Sequence, residues 1–286
     1  MDIKLVVTDM DGTFLDGNSE FDREAFGILK ENLDSHNIRF VFCTGKQCER
    51  VENIVGDLTK DTFITGKQCE RVENIVGDLT KDTFIIGDSA TRIKYNGEFL
   101  YTATIQNELG LNIIDALTKI DEEQTIIACT EDVAYVLDTV SEEERKAVHG
   151  SYQNVTYIKD FTEIKSDFLK ITVHDASGKC KQTAQQIDYF NNEVYIIASE
   201  DYWIDITKLG VNKGTTIHKI QSILNIDPAE TIAFGDGLND IDLFKSAKYK
   251  VAMDNAYPEL KKDANLIAIN HNESGVIKTL NLLLSF

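Results

Sequence analysis

Long apolar runs are missing from this chain. No stretch approaches the ~20 residues that a membrane-spanning helix needs, so no membrane anchor is expected. An apolar run of strand formers begins at Leu5, which leaves no room for a secretory signal peptide and points to the cytoplasm. Basic residues are also scarce. The 29 Lys and Arg face 48 Asp and Glu, a formal charge of −19. That balance argues against nucleic acid and anionic membrane as partners, and any anionic substrate needs a local cation to draw it in. Cys43, Cys48, Cys69, Cys129 and Cys180 form no Cys-x-x-Cys pair and read as buried or free thiols in a reducing compartment. The histidines are scattered and suggest no zinc site. The two prolines, Pro228 and Pro258, fall outside the interiors of expected strands and helices.

What is present is ordinary for a soluble globular protein, with 42% hydrophobic and 27% charged residues. A length of 286 residues allows one large or two moderate domains. The organising stretch is Leu5-Val6-Val7-Thr8-Asp9-Met10-Asp11-Gly12-Thr13. A buried strand ends in two carboxylates two residues apart, a spacing that puts both on one side of an extended chain. The carboxyl end of a strand is where open α/β sheets bind ligands. Ionised, Asp9 can attack phosphorus. Protonated, Asp11 can serve the leaving oxygen as acid and then the attacking water as base. A hard cation such as Mg²⁺ would relieve the crowding of charge. A plain Asp-Gly turn is the competing reading.

Farther along, Ser19 opens a capping signal and Phe21, Ala25, Ile28, Leu29 and Leu33 follow at helical spacing. A second buried strand over residues 38–43 completes a βαβ unit and a parallel sheet. Residues 44–64 are then repeated without change as residues 65–85. Two copies are too few for a solenoid, and identity this complete indicates a recent duplication, a product of cloning or an error of record. Asn96-Gly97 marks a hairpin. Residues 104–201 change character, with runs of strands and two longer helices, and read as an α+β domain inserted into the first. The βα alternation then resumes, so residues 1–103 and 202–286 form the core in two pieces.

Other strand ends echo the first. Thr44 and Gly45 follow the second strand and can hold a phosphate oxygen, although Thr-Gly is a frequent loop pair. Lys213 stands at a helix start, where the macrodipole disfavours it, so a phosphoryl group or simple exposure must explain it. Gly235-Asp236-Gly237-Leu238-Asn239-Asp240 follows another buried strand and brings Asp236 and Asp240 to the same edge, helix capping being the bland alternative.

In order and spacing these loops resemble the four motifs of the haloacid dehalogenase superfamily of phosphatases, closest to its Cof-type, sugar-phosphatase-like subclass. The resemblance implies a Rossmann-like parallel-sheet core with an inserted α+β cap. It implies Asp9 as nucleophile and Asp11 as general acid/base, with Lys213 completing the catalytic set. Mg²⁺ would be held by Asp9, Asp11 through its carbonyl, and Asp236, with Asp240 close by. Met10, Thr44, Gly45, Lys213 and Asn239 would contact the phosphoryl group or its anchors. Lys46, Asp88-Ser89 and Asp254 depart from the usual arginine, Asn-Gly and glycine. The repeat offers Thr65 as a rival to Thr44, but Thr44 follows the longer apolar strand. Displacing that strand would expose side chains worth roughly 1.5–3 kcal/mol each.

The expected function is a Mg²⁺-dependent phosphatase acting on a small phosphorylated metabolite such as a sugar phosphate, through an aspartyl-phosphate, under a lid that excludes water. The alternative is a phosphometabolite-binding protein whose second loop the duplication has disabled. A receiver-like phosphoacceptor fits the length and the cap less well. Tyr202 and Trp203, near the return from the cap, read as packing residues more than substrate contacts.

Overall fold

The computed structural model describes residues 2–45, 48–56, 82–121, 123–198 and 201–285. The first four parallel strands of the core run through its middle. They are β1 (Leu5–Thr8), β2 (Arg39–Cys43), β3 (Thr83–Gly87) and, much later, β12 (Thr231–Gly235). Helices α1 (Arg23–Ser35) and α2 (Cys48–Gly56) intervene. The hairpin β4 (Arg92–Tyr95) and β5 (Glu98–Thr102) turns at Asn96-Gly97, as the sequence predicts. The inserted segment holds α3 (Asn107–Ile120), β6 (Thr125–Cys129), β7 (Ala134–Leu137), α4 (Glu142–Ser151), β8 (Val155–Ile158), β9 (Lys170–His174), α5 (Cys180–Gln186), β10 (Val194–Ile197) and β11 (Trp203–Lys208). The core resumes with α6 (Lys213–Leu224), leads through β12 into α7 (Asp240–Lys245), and ends with β13 (Tyr249–Met253), α8 (Pro258–Asp263), β14 (Leu266–Ala268) and α9 (Gly275–Leu284).

The core sheet has the order β14-β13-β12-β1-β2-β3-β4-β5, parallel as far as β3 and antiparallel through the hairpin. Its central strand, β1, is buried at every position, as a strand covered on both faces must be. On one face Phe14, Phe26, Phe40 and Phe42 pack with ring centroids 4.9–6.2 Å apart, mostly edge to face. Such pairs add about 0.5–1.5 kcal/mol beyond burial. Because Phe14 directly follows the Asp9–Thr13 loop, this cluster anchors that loop to the sheet.

The second sheet, β10-β11-β9-β6-β7-β8, is antiparallel except for the β7–β8 pair. An α/β core with an inserted α+β cap is therefore the architecture. Some local readings need correction. Asp22, not Ser19, caps α1, its side chain accepting from the Ala25 N–H at 2.9 Å. The acidic stretch after Ser141 is helical, and Ser141 caps it. Residues 203–208, which the boundary at 202 would assign to the core, pair with β9 and β10 in the cap sheet. Ile204 and Ile206 are buried while Trp203 and Asp205 are half-buried, the period of a strand with one covered face.

The repeat is divided between two strands. Thr44 of the first copy follows β2, and Thr83, Phe84 and Ile85 of the second copy form most of β3, in parallel register with β2. The surplus thus falls within the connection between β2 and β3. Thr65, Lys46, Cys69 and the rest of residues 46–47 and 57–81 lie outside the described residues. Cys43, Cys48, Cys129 and Cys180 are all buried.

Candidate active site

β1 ends at Thr8, and the next residue is tied into the neighbouring strand: the Asp9 N–H donates to the Phe234 carbonyl at 3.0 Å. The chain then leaves the sheet in a wide turn over residues 10–14, closed by the Leu15 N–H on the Met10 carbonyl at 2.8 Å. This exit gives the paired acids different exposure, which their spacing alone does not predict. Asp9 is buried and Asp11 exposed, although both line one cavity of about 180 Å³. The Met10 side chain is fully buried, so only its main chain can serve a ligand.

Gly12 has φ +72°, and a Cβ there would collide with the Asp236 carboxylate. Gly12→Ala is therefore expected to destabilise the fold by about 1–3 kcal/mol and to displace Asp236. Thermal denaturation and Mg²⁺ titration would read the two effects.

Lys213 is the first residue of α6, whose N-terminus Asn212 caps by accepting from the Thr215 N–H at 2.9 Å. Gly214 lets this helix approach so closely that a Cβ would strike the Asp242 carbonyl. The Lys213 ammonium is thereby delivered into the β12–α7 loop, where it lies 2.6 Å from both Asp9 Oδ1 and Asp240 Oδ1. Asp240 is wholly buried, and its other oxygen accepts from the Asp236 and Gly237 N–H groups, each at 3.0 Å. Asp236 in turn accepts from the Thr13 hydroxyl at 2.7 Å.

Asp9, Asp236 and Asp240 each offer an oxygen within 4.8 Å of the others. Three carboxylates against one ammonium leave an excess of two negative charges in a largely desolvated spot. Burial, and then the neighbouring carboxylates, push Asp9 well above the usual carboxylate range, against the pull of Lys213. Burial and Asp240 lift Asp236 to about 6. Burial lowers the Lys213 ammonium, but Asp240 and Asp9 outweigh it and hold the group protonated. The donor set, all oxygen with a surplus of two charges, fits a hard divalent cation.

Thr44, Gly45 and Asn239 line the same cavity as Asp9, Asp11 and Asp236. Thr44 is buried, its N–H donating to the Ile86 carbonyl at 2.9 Å. The cap supplies Tyr152, Lys170, Thr172, Trp203 and Asp205 to the opposite wall. Trp203 is thus a wall residue while Tyr202 stays exposed, about half its surface in solvent. Asp254 is exposed and outside this lining; Ser89 instead meets the cap, donating to Asp205 Oδ2 at 2.7 Å.

Sequence reasoning missed Asn255, which donates to the Gly12 carbonyl at 2.7 Å and so braces the first loop. It also missed Lys170, Thr172 and Asp205. Their signal is the alternation of β9 and β11, which turns polar residues toward the core while Ile171, Val173, Ile204 and Ile206 face the cap's own interior.

The family model described as haloacid dehalogenase-like hydrolase matches residues 6–65 and 59–280, the two stretches overlapping at the repeat. The chain is 25% identical over 285 residues to a 5-amino-6-(5-phospho-D-ribitylamino)uracil phosphatase of Escherichia coli, covering 99% of this chain and 97% of that protein. It is 22% identical over 284 residues to the protein of that name in Bacillus subtilis, covering 99% of each. A crystal structure from Streptococcus mutans superposes with a TM-score of 0.87 at 25% identity, covering 99% of this chain and 100% of that one.

Proposed function

The chain belongs to the haloacid dehalogenase-like hydrolases and is a phosphatase, and from that premise we propose that it hydrolyses a small sugar or polyol phosphate with Mg²⁺, through an aspartyl-phosphate on Asp9. The observation that carries this reading is the cluster of Asp9, Asp236 and Asp240, the first and last buried and paired with the Lys213 ammonium. Asp9, the Asp11 carbonyl and Asp236 would hold the ion, with Asp240 behind them. Bound there, Mg²⁺ supplies the positive charge that lets an anionic nucleophile meet an anionic phosphate.

The chain's own groups do the rest. Lys213 fixes the Asp9 carboxylate and keeps one oxygen directed at the phosphoryl group. Asp9 forms its bond to phosphorus as the ester P–O bond breaks, and Asp11 gives its proton to the departing oxygen. Water then attacks phosphorus, Asp11 takes the proton back, and the Asp9–phosphorus bond breaks. Thr44, Gly45, Asn239 and the Met10 main chain hold the non-bridging oxygens. We take the cap to begin near residue 104 and to include β11, and we place the enzyme in the cytoplasm. Tyr152, Trp203 and Tyr257 bring aromatic side chains to the cavity lining, and Thr172 and Asp205 bring oxygen atoms, a mixture suited to a hydroxylated leaving group. Two relatives are named for a phosphoribitylamino-uracil, which is of that class.

The reading in which the duplication disables the second loop is not favoured, since β2 and β3 pair in register with Thr44 at the cavity. Release of inorganic phosphate across a panel of sugar and polyol phosphates tests the proposal. Turnover that needs Mg²⁺ and is lost on chelation supports it; binding without turnover overturns it.

A pH dependence follows from Asp236. Its carboxyl, raised from 3.8 to about 6, binds a proton more tightly in the folded than in the unfolded protein. The metal-free protein therefore loses stability as pH rises between those values. Mg²⁺ must displace that proton, so the Tm gain on adding Mg²⁺ is expected to be full at pH 7.5 and to fade as pH falls through about 6. Thermal melts with and without Mg²⁺ across this range would show it.

A further inference from the structure

Lys170 is a cap residue whose bonds lie largely on the core. It is 2% exposed. Its Nζ donates to the Gly45 carbonyl at 3.0 Å, to Ser89 Oγ at 2.9 Å and to Asp205 Oδ1 at 3.3 Å. An ammonium has three protons, so all are placed. Gly45 and Ser89 belong to the loops after β2 and β3, so the cap reaches two core loops through one nitrogen. Asp205 completes the cluster: it accepts from Ser89 Oγ at 2.7 Å and from the Thr172 hydroxyl at 2.8 Å.

The core half of this contact is strained. Asp88, Ser89 and Ala90 have φ of 53°, 54° and 73° in succession. Three consecutive non-glycine residues in the left-handed region persist only where their surroundings hold them. Thr91 and Thr216 hold the Asp88 and Ala90 carbonyls at 2.8 Å each, and the cap holds the Ser89 hydroxyl between them. Gly45 lies against the same cluster: a Cβ on it would sit 3.6 Å from Ser89 Oγ and 3.7 Å from Asp205 Oδ2. Without a Cβ, the backbone dihedrals of a glycine are loosely constrained, so a bond to its carbonyl restricts the loop there.

We propose that Lys170 is a positioning residue: with the cap seated, its ammonium fixes the Gly45 carbonyl and so holds the loop that carries the Thr44 hydroxyl and the Gly45 N–H in place at the phosphoryl group, Ser89 being the catch that completes the seat. Cap closure and phosphate capture are then one event. The inference rests on the reading of Thr44 and Gly45 as phosphoryl ligands. It differs from a simple leaving-group contact, which Lys170 could also make from the cavity wall.

Inorganic phosphate separates the two, because it has no leaving group. Its inhibition constant would be measured for wild type, Lys170→Met, Lys170→Arg, Ser89→Ala and Thr44→Val, beside kcat and KM for p-nitrophenyl phosphate. Loss of a charge-assisted bond that positions the loop should weaken inhibition by phosphate roughly tenfold or more in Lys170→Met. Ser89→Ala should weaken it in the same direction. Lys170→Arg should not rescue it, since a planar guanidinium cannot serve three acceptors arranged around an ammonium. Unchanged phosphate inhibition in Lys170→Met, with only KM raised for organic esters, overturns the proposal. If Lys170→Met does not fold, unchanged inhibition in Ser89→Ala overturns it. Unchanged inhibition in Thr44→Val is a different failure, that of the underlying site assignment.

Discussion

Lys213→Met is expected to unfold the metal-free protein under conditions where the wild type is stable, and to abolish turnover. The ammonium is 5% exposed and lies between Asp9 and Asp240 at 2.6 Å from each. Methionine fills similar space but leaves three converging carboxylates with no cation. Removing one partner of a buried ion pair costs about 3–5 kcal/mol, because the charge left behind remains desolvated. The loss should be pH-dependent with a definite sign. Burial and mutual repulsion already raise Asp9 and Asp236, and without Lys213 both rise further. The variant is then most stable in acid, where the carboxyls are neutral, and weakens as pH increases. Mg²⁺ should restore part of the lost Tm without restoring activity. Thermal melts at several pH values, with and without Mg²⁺, would check this. A Tm close to that of wild type in metal-free buffer at neutral pH would show that the cluster is neutralised some other way.

Asp9→Asn should behave in the opposite manner toward stability. Turnover is expected to fall by roughly 10⁴–10⁶-fold, the range seen when a group bonded to the reacting atom is removed. The amide is isosteric and uncharged, and Asp9 pays heavily for burial as a carboxylate. Lys213 keeps Asp240 as a partner. The metal-free variant should therefore melt no lower than wild type, and its Tm gain from Mg²⁺ should shrink, since a ligand of the ion is gone. Loss of phosphate release with retained or raised Tm separates a catalytic role from a structural one. Turnover near wild type would place the nucleophile elsewhere.

The parts of the molecule legible in the sequence are those where one strand carries its own signal. Leu5-Val6-Val7-Thr8 is apolar on both faces because β1 is covered on both, and the abrupt change to Asp9 marks its end. Lys213 was conspicuous because it opens a helix against the dipole; the two carboxylates at 2.6 Å account for it. Less legible were features set by contacts between distant segments. β11 looked like a return to the core because its pairing with β9 and β10 is decided by register across the cap, not by its own residues. The 142–146 stretch is too polar to announce a helix, and it is helical through the Ser141 cap and the burial of Val148. Lys170 and Asp205 were invisible as site residues, since a polar residue on the open face of a strand is normally solvated. Beyond the bonds they share within the cap, the seating of the cap on Gly45 and Ser89 gives them partners in the core.

The central position of β1 has a consequence for biosynthesis. One of its flanks is β2, a few dozen residues away, but the other is β12, in which Val6 lies opposite Ile232. A nascent chain emerging from the ribosome must hold this strand half-paired while the entire cap is synthesised. Its bare edge is open to wrong partners during that interval. The cap's antiparallel strands pair mostly within their own segment and can condense early, whereas Asp9 meets Asp236 only once about four-fifths of the message has been read. Chaperone demand should therefore fall on the amino-terminal segment, and premature termination before residue 231 should yield aggregate in place of a smaller working enzyme.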